Sequence, residues 1–356
     1  MERYSRHILL NEVGQKGQEK ISNARVLVVG AGGLGCPVLQ YLTAAGVGEL
    51  GIIDDDLVEE SNLQRQVLYG TSSLGLNKAK AAKKRLEDLN PSIVIHAYSE
   101  KLSISNAISL FEKYNIIVDG TDNFETRYLI NDAAILTKRP VVYGAIYKFE
   151  GQLSVFNYKD GPSYRCLFPE PPKNTEAINC SQVGVLGVLP AIIGSMQANE
   201  VLKIILGIKG VLSGKLYCYD AKTSNVHHIK ITKNELLINE IKNRQLKKEV
   251  VFSCTANIRE ITVEKALKKS NVIFLDVREM GEEPTLEMDN YQQIPLSTLS
   301  ENLNKIDAEV EIIVLCQSGE RSKNAIQILI QNNFNNCHNL KGGAPALLAQ
   351  LKHNAV

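Results

Sequence analysis

Along the first 150 residues, short apolar runs alternate with stretches whose apolar positions recur every three or four residues. Residues 25–30 (RVLVVG) read as a buried strand, and 33–46 (GLGCPVLQYLTAAG) follow with helical spacing. Residues 49–54 (ELGIID) read as a second buried strand. Residues 77–90 predict a one-sided helix stopped by Pro91. The alternation continues through SIVIHAY (92–98), a helix around 104–113, NIIVDG (115–120), a helix over 125–139 and PVVYGAI (140–146). Strands alternating with helices predict an α/β fold, a Rossmann-like doubly wound sheet covered on both faces.

The pattern then changes. Residues 152–158, 215–221 and 225–231 predict antiparallel strands that extend the sheet. A long helix over 183–207 lies between the first two, preceded by a Pro-rich loop over 158–182 whose length points to function. Its apolar start, VGVLGVLPAIIGSM, holds Pro190 and runs into Glu200 and Lys203, which predicts a core helix and no membrane span. Residues 233–254 read as a polar linker between a domain over 1–232 and a second small α/β domain over 255–356. In the second, a helix is expected over 260–269, strands over 271–277 and 311–316, and a helix over 321–333.

Composition narrows the function classes. Across 356 residues the net charge is +1, which argues against direct nucleic-acid binding and against charge-driven disorder. Seven cysteines at irregular spacings do not form a secreted disulfide framework. The N-terminus shows no apolar signal-peptide core. Both observations predict a cytoplasmic protein.

The first chemical signal is Gly30-Ala31-Gly32-Gly33-Leu34-Gly35, a G-x-G-x-x-G run between a strand and a helix. Such a turn lets backbone N–H groups approach a phosphate. Asp54 ends the next strand, where a carboxylate can hold ribose hydroxyls. By itself the turn does not separate NAD, FAD and ATP. Around it lie Ser61, Asn62, Gln64 and Arg65, then Lys78, then Asp122 and Asn123. Two cations and a carboxylate suit a triphosphate and its Mg²⁺ better than a dinucleotide. A NAD-dependent oxidoreductase, the alternative enzyme, leaves Arg65, Lys78 and Asp122 unexplained. A non-catalytic carrier-binding scaffold would not need this charge set.

RYSRHILL, VLVVGAGGLGCPV, SNLQRQ, NKAKA, DGTDNFETRYLIND and GVLGVLP in this spacing resemble the MoeB/ThiF family, bacterial relatives of ubiquitin-activating enzymes. The resemblance covers residues 2–232. It implies a homodimeric adenylyltransferase that uses ATP and Mg²⁺. Its partner would be a ubiquitin-like sulfur-carrier protein ending in Gly-Gly, whose carboxylate attacks the α-phosphate. It further implies that Gly33 and its neighbours cradle phosphate and that Asp54 holds the ribose. Asn62, Arg65 and Lys78 would bind the triphosphate, and Asp122 would hold Mg²⁺. Arg6 would reach the nucleotide of the partner subunit. Cys180, at the end of the Pro-rich loop, would take over the carrier or accept sulfur. Relatives hold a structural zinc with two Cys-x-x-Cys pairs. Here the first pair reads Ser163-Tyr164-Arg165-Cys166, the second has no cysteine, and His227 and His228 would point to opposite faces of a strand. No structural zinc is therefore expected.

In the second domain, Cys316-x4-Arg321 follows a strand and opens a helix. Backbone N–H groups at a helix start stabilise a thiolate or an anionic adduct. With FLDVRE (274–279) and NLKGGAPAL (339–347), this loop resembles a rhodanese, which carries sulfur as a persulfide on the cysteine. The stretch QQIPLSTL (292–299) departs from that family's usual sequence. Together the two resemblances imply adenylation of a carrier coupled to sulfur transfer, with a cysteine desulfurase or similar enzyme as donor, for molybdopterin or thiamin-type biosynthesis.

Overall fold

A computed structural model describes residues 2–172, 184–243 and 258–354, apart from 287, 308, 309, 318, 333 and 335. The chain divides into two units, Met1–Val250 and Val251–Val356.

In the first unit, β1 (Arg25–Val29), α3 (Gly35–Ala45), β2 (Glu49–Ile53), α4 (Lys78–Leu89), β3 (Val94–Tyr98), α5 (Ile104–Phe111), β4 (Ile116–Asp119), α6 (Phe124–Thr137) and β5 (Val141–Tyr147) alternate as the hydrophobic pattern predicts. The short helices α1 (Ser5–Ile8) and α2 (Gly14–Ser22) precede them. The sheet order is β3-β2-β1-β4-β5, all parallel, and β6 (Glu150–Phe156), β7 (Lys215–Asp220) and β8 (Val226–Lys230) extend it antiparallel. Val26, Leu27 and Val28 are fully buried because β1 lies in mid-sheet with helices on both faces. Val29 is level with Ile53 on one side and Asp119 on the other. The three segments that follow these strands therefore leave the sheet at one edge, the position at which open α/β sheets bind ligands.

Helix α8 (Val188–Leu206), the next after the four-residue α7 (Tyr164–Leu167), starts later than the apolar run suggests, because Gly184 and Gly187 lie in irregular chain ahead of it. It is the one helix among the described residues long and apolar enough to cross a membrane. Its buried Leu189, Ile193, Gln197 and Val201 recur every four residues and place it in the core. Gln197 Nε2 donates to the carbonyls of Asp119 (2.8 Å) and Val142 (3.1 Å), which ties α8 to β4 and β5.

Two elements differ from the sequence reading. Residues 235–243, taken as linker, form α9 (Glu235–Asn243), whose Ile238 and Ile241 are buried against Ile135 of α6, with Cys166 packed beside them. Two isoleucines three residues apart are enough to dock a helix whose other positions are polar. In the second unit, the helix expected over 260–269 shrinks to α10 (Val263–Leu267), and β9 (Arg259–Ile261) precedes it. Thr262, in extended conformation before α10, marks the change.

The second unit holds one parallel sheet, β11-β10-β12-β13-β9. Its other strands are β10 (Val272–Asp276), β11 (Tyr291–Gln293), β12 (Glu311–Leu315) and β13 (Cys337–Leu340), and its other helices are α11 (Glu320–Gln331) and α12 (Gly343–Asn354). Asp276 is level with Leu315 and with Gln293, so Cys316 and Val277 leave the sheet side by side. Cys337, in a stretch that reads as polar, is buried at the start of β13, and burial pushes its thiol up to about 12.

Candidate functional site

The glycine turn is held by backbone packing. Gly30 adopts φ +90°, and a Cβ there would lie 2.8 Å from the Gly120 carbonyl oxygen. A Cβ on Gly35 would lie 2.0 Å from the Gly30 carbonyl oxygen. Only glycine permits both approaches, which bring the end of β1, the first turn of α3 and the segment after β4 together.

Asp54 sits against this turn. Its Oδ2 accepts the Ala31 N–H (2.7 Å) and its Oδ1 accepts the Asp56 N–H (2.9 Å). Burial raises its pKa, while the Ala31 hydrogen bond and the charge of Lys78 oppose the rise. A carboxylate offers about four acceptor positions, so two remain for hydroxyl donors. Lys78 opens α4 behind the N-cap Asn77, whose side chain accepts from the Lys80 N–H. The Lys78 side chain is 8% exposed, and its ammonium lies 2.8 Å from Asp56, which is 67% exposed. A buried cation with a solvated partner can exchange that partner for phosphate at small cost.

The segment over 59–66 closes the turn. Arg65 is half-buried, packs its Cγ 3.6 Å from a Cβ position on Gly33, and donates to the Ser61 carbonyl (3.1 Å). Gln64 is exposed, and its carbonyl lies 2.5 Å from a Cβ position on Gly187. Ser61 is exposed, whereas Asn62 is buried and bonds the Glu59 N–H and Ser61 Oγ. Asn62 is thus placed as a turn former. Asn123 likewise caps α6 by accepting the Thr126 N–H (2.9 Å). Asp122 beside it is exposed and makes no hydrogen bond or ion pair among the described residues.

Sequence reasoning missed the support under Asp122. Asp119 at the end of β4 is buried and accepts from Thr121 N (3.0 Å) and Thr121 Oγ1 (2.6 Å). Arg127 lies 4.0 Å from its other oxygen, donates to the Thr121 carbonyl (2.9 Å), and stacks over Phe124 and Tyr143. Burial raises the Asp119 pKa and the Arg127 charge lowers it. Asp119 and Arg127 sit eight positions apart across a loop, so no local spacing marks them as a pair.

One expected residue stands elsewhere. Arg6 is exposed on α1, and Tyr4 just before it is anchored by the Asn90 side chain (2.8 Å) and packs against Gly46. Gly46 caps the far end of α3, about 15 Å along the helix from the glycine turn. The structure therefore does not bring Arg6 to the turn of its own chain. Cys180 lies outside the described residues.

In the second unit, Cys316 is buried and its Sγ accepts the Gly319 N–H (3.1 Å) at the start of α11. Ser322 Oγ lies 3.4 Å from the sulfur and 2.6 Å from Asn339 Oδ1. Arg321, the arginine of the Cys-x4-Arg spacing, gives both Nη atoms to the carboxylate of Glu282, with Nη2–Oε2 at 2.7 Å. Glu282 was not marked by any spacing in the sequence. Its loop is set by Arg278, which is buried and binds Asp276 through Nε (2.9 Å) and Nη2 (2.6 Å), with Nη2 also donating to the Pro284 carbonyl (2.9 Å). Tyr291 Oη completes Asp276 (2.8 Å).

The ThiF family model matches residues 4–237, and a rhodanese-like domain model matches 262–350. The chain belongs to the ThiF family. "Probable adenylyltransferase/sulfurtransferase MoeZ" of Mycobacterium tuberculosis is 39% identical over 99% of this chain and 94% of its own. "Adenylyltransferase and sulfurtransferase MOCS3" of Culex quinquefasciatus is 39% identical over 92% of this chain and 81% of its own. "Sulfur carrier protein adenylyltransferase" of Thermus thermophilus is 49% identical over 66% of this chain and 88% of its own. Among solved structures, E. coli MccB with ATP aligns at TM-score 0.59 and 21% identity, over 68% of this chain and 75% of that one, which establishes likeness of fold.

The Glu282–Arg321 pair has a pH signature. Arg321 holds the Glu282 carboxyl at about 2, below its ordinary 4.5. A depressed folded-state pKa stabilises the fold above pH 4.5, and that contribution is lost as pH falls toward 2. The stability gap between the wild type and Glu282→Gln should be constant above pH 5 and close by about pH 2. Urea unfolding across that range checks it, and a gap independent of pH would disprove the pairing.

Proposed function

We propose that the first unit activates the C-terminal glycine of a ubiquitin-like sulfur carrier as an acyl-adenylate, and that the second delivers sulfur to it from a persulfide on Cys316. The chain is an adenylyltransferase with a sulfurtransferase domain, like relatives so named that it matches over 94% and 81% of their length. The observation that carries the site assignment is the buried Lys78 beside the glycine turn, its ammonium paired with the solvated carboxylate of Asp56. A nucleotide phosphate replaces Asp56 there.

In this reading, the N–H groups of the 32–35 turn receive phosphate, while the Ala31 N–H holds Asp54, which accepts from the ribose hydroxyls through its open lone pairs. Arg65 and Lys78 offset the charge of the triphosphate. The exposed carboxylate of Asp122 suits Mg²⁺, which would neutralise phosphate charge and polarise the reacting phosphorus when bound. Asp119 and Arg127 keep that loop in place. The carrier carboxylate oxygen forms a bond to the α-phosphorus, and the bond to the β-phosphate oxygen breaks to release pyrophosphate. Cys316 presents its persulfide beside the Gly319 N–H at the start of α11. The outer sulfur bonds to the carrier's acyl carbon as AMP leaves. A second thiol then attacks Cys316 Sγ, forming a disulfide with it and releasing the carrier thiocarboxylate. The sulfur donor is a cysteine desulfurase or an enzyme like it, Cys180 serves as an accessory thiol, and the protein works in the cytoplasm. The carrier is of the MoaD or ThiS type, and binding assays with each separate them.

Lys78→Ala and Asp122→Ala should each lower carrier-dependent ATP–pyrophosphate exchange on the order of 10²-fold or more. Cys316→Ala should leave exchange intact and abolish persulfide formation, read by mass. Wild-type exchange in either of the first two variants would remove that residue from the site.

The position of Arg6 at the far end of its own α3 supports a homodimer in which it completes the partner's site. Arg6→Ala and Asp122→Ala should each be inactive alone. Co-expressed, they should regain about a quarter of wild-type exchange, because half of the dimers are mixed and each holds one intact site. No recovery would place Arg6 in its own subunit's chemistry or outside it.

We also propose that the first unit needs no structural zinc. Cys166 Sγ accepts from the N–H groups of Ser163 (3.3 Å) and Asn234 (3.2 Å), and α9 docks beside it. Untagged protein should contain no stoichiometric zinc by elemental analysis, and chelation should leave stability unchanged. Ile238→Ala should lower it by about 2–5 kcal/mol. One zinc per chain, lost together with stability, would show a ligand set beyond these residues.

A further inference from the structure

Residues 278–284, the first part of the loop after β10, carry three glutamates, Glu279, Glu282 and Glu283, against one arginine, Arg278, whose charge is matched by the buried Asp276. Glu279 and Glu283 are exposed. Glu279 also acts electrostatically on Arg321. Both Nη atoms of Arg321 are held by the two Glu282 oxygens, and Glu282 is fixed from behind by the Glu279 N–H (2.8 Å). The cation that the Cys-x4-Arg spacing places near Cys316 is therefore neutralised, and the loop over 278–284 that holds it is acidic.

We propose that Glu282 is a specificity-determining residue, which by occupying Arg321 selects sulfur carried on a thiol, as a persulfide, over sulfur carried by the dianion thiosulfate. The proposal rests on the reading of Cys316 as the sulfur acceptor. With either donor, the Cys316 thiolate attacks the outer sulfur. A bond forms between Sγ and that sulfur, and the donor's S–S bond breaks with its electron pair on the leaving group. A persulfide R–S–SH puts –S–SH on Cys316 and departs as the thiolate R–S⁻. Thiosulfate puts –S–S⁻ on Cys316 and departs as sulfite, SO₃²⁻. Neither route needs an outside oxidant or reductant. They differ in charge. Thiosulfate enters and leaves as a dianion and needs a free cation at the mouth. The protonated persulfide enters neutral and leaves as a monoanion. Like charges set against a ligand disfavour it, so an acidic mouth with its arginine occupied discriminates against the dianion.

The test loads the full-length protein with thiosulfate, with cysteine persulfide and with a persulfidated cysteine desulfurase, and follows the gain of one sulfur on Cys316 by mass. Wild type should load from cysteine persulfide or the desulfurase faster than from thiosulfate. Loading from the desulfurase alone identifies a protein-borne source, and loading from both a small one as well. Either supports the proposal. Glu282→Gln should raise kcat/KM for thiosulfate on the order of tenfold or more, while persulfide loading stays within about twofold. Wild-type loading from thiosulfate should rise with ionic strength as repulsion is screened, and that of the variant should fall. These opposite salt slopes would not arise from a merely structural role. If Glu282→Gln does not fold, Glu282→Ala and the wild-type salt series decide. Unchanged thiosulfate loading in the variant, equal loss of both donors, or wild-type loading that falls with salt would overturn the proposal. A Cys316 that takes sulfur from no donor would instead overturn the underlying sulfurtransferase reading.

Discussion

Everything at the nucleotide edge depends on the contact of three backbones. The Gly30 carbonyl lies where a Cβ of Gly35 would be, and the Gly120 carbonyl lies where a Cβ of Gly30 would be. This contact pulls the start of α3 under the turn, so that its unpaired N–H groups face the space above β1. It also fixes the chain after β4, which carries Asp122. The register of β1 with β2 and β4 supplies the third dimension by ending all three strands at one level. A side chain at either glycine would separate these parts, and the charged groups around them could not compensate.

Charge is arranged around that frame by burial. Asp54, Asp55 and Asp56 cluster closely enough for their oxygens to lie within 4.8 Å of one another, an arrangement that repels phosphate unless it is countered. Asp54 is turned inward onto two backbone N–H groups, and Asp56 is set against Lys78. The same contrast separates Asp119 from Asp122. One carboxylate is buried and bonded within the protein, and the other, three residues on, is open to solvent. A buried carboxylate bonded within the protein is a brace, whereas an exposed one with open lone pairs can take a ligand.

Much of this was legible in the sequence because it rests on local pattern. Strand–helix alternation, the glycine run and the cysteine at the start of a helix each signal through neighbouring residues. What escaped rests on distance. The strands β9, β11 and β13 have three or four residues each, too few for a period to show, and are made strands by their neighbours in the sheet. Helix α9 reads as linker because only Ile238 and Ile241 are buried, and Ile135, on which they pack, is about a hundred positions away. The Asp119–Arg127 brace and the Glu282–Arg321 pair join residues across loops, and a charge run carries no mark of the partner it will meet. Asn62 and Asn123 show the converse, since local sequence placed them beside the nucleotide while their side chains complete a turn and a helix cap.

The chain's thiols separate by surroundings. Cys36 in α3 is buried among apolar groups, and desolvation pushes its thiol up to about 12, as it does for Cys337. A thiol so protonated is inert toward sulfur donors. Cys316 is equally buried but meets the Gly319 N–H and the Ser322 hydroxyl at the start of α11. The Gly319 N–H dipole is oriented toward the sulfur before any adduct forms, so negative charge on a thiolate or persulfide is met without rearrangement. Burial also shields such an adduct from solvent. What enters is then decided at the mouth, where the fold places glutamates and pairs the available arginine with one of them. Reactivity and selectivity are thereby assigned to different residues, the first to the backbone N–H group at Cys316 and the second to a carboxylate on the loop that Arg278 positions.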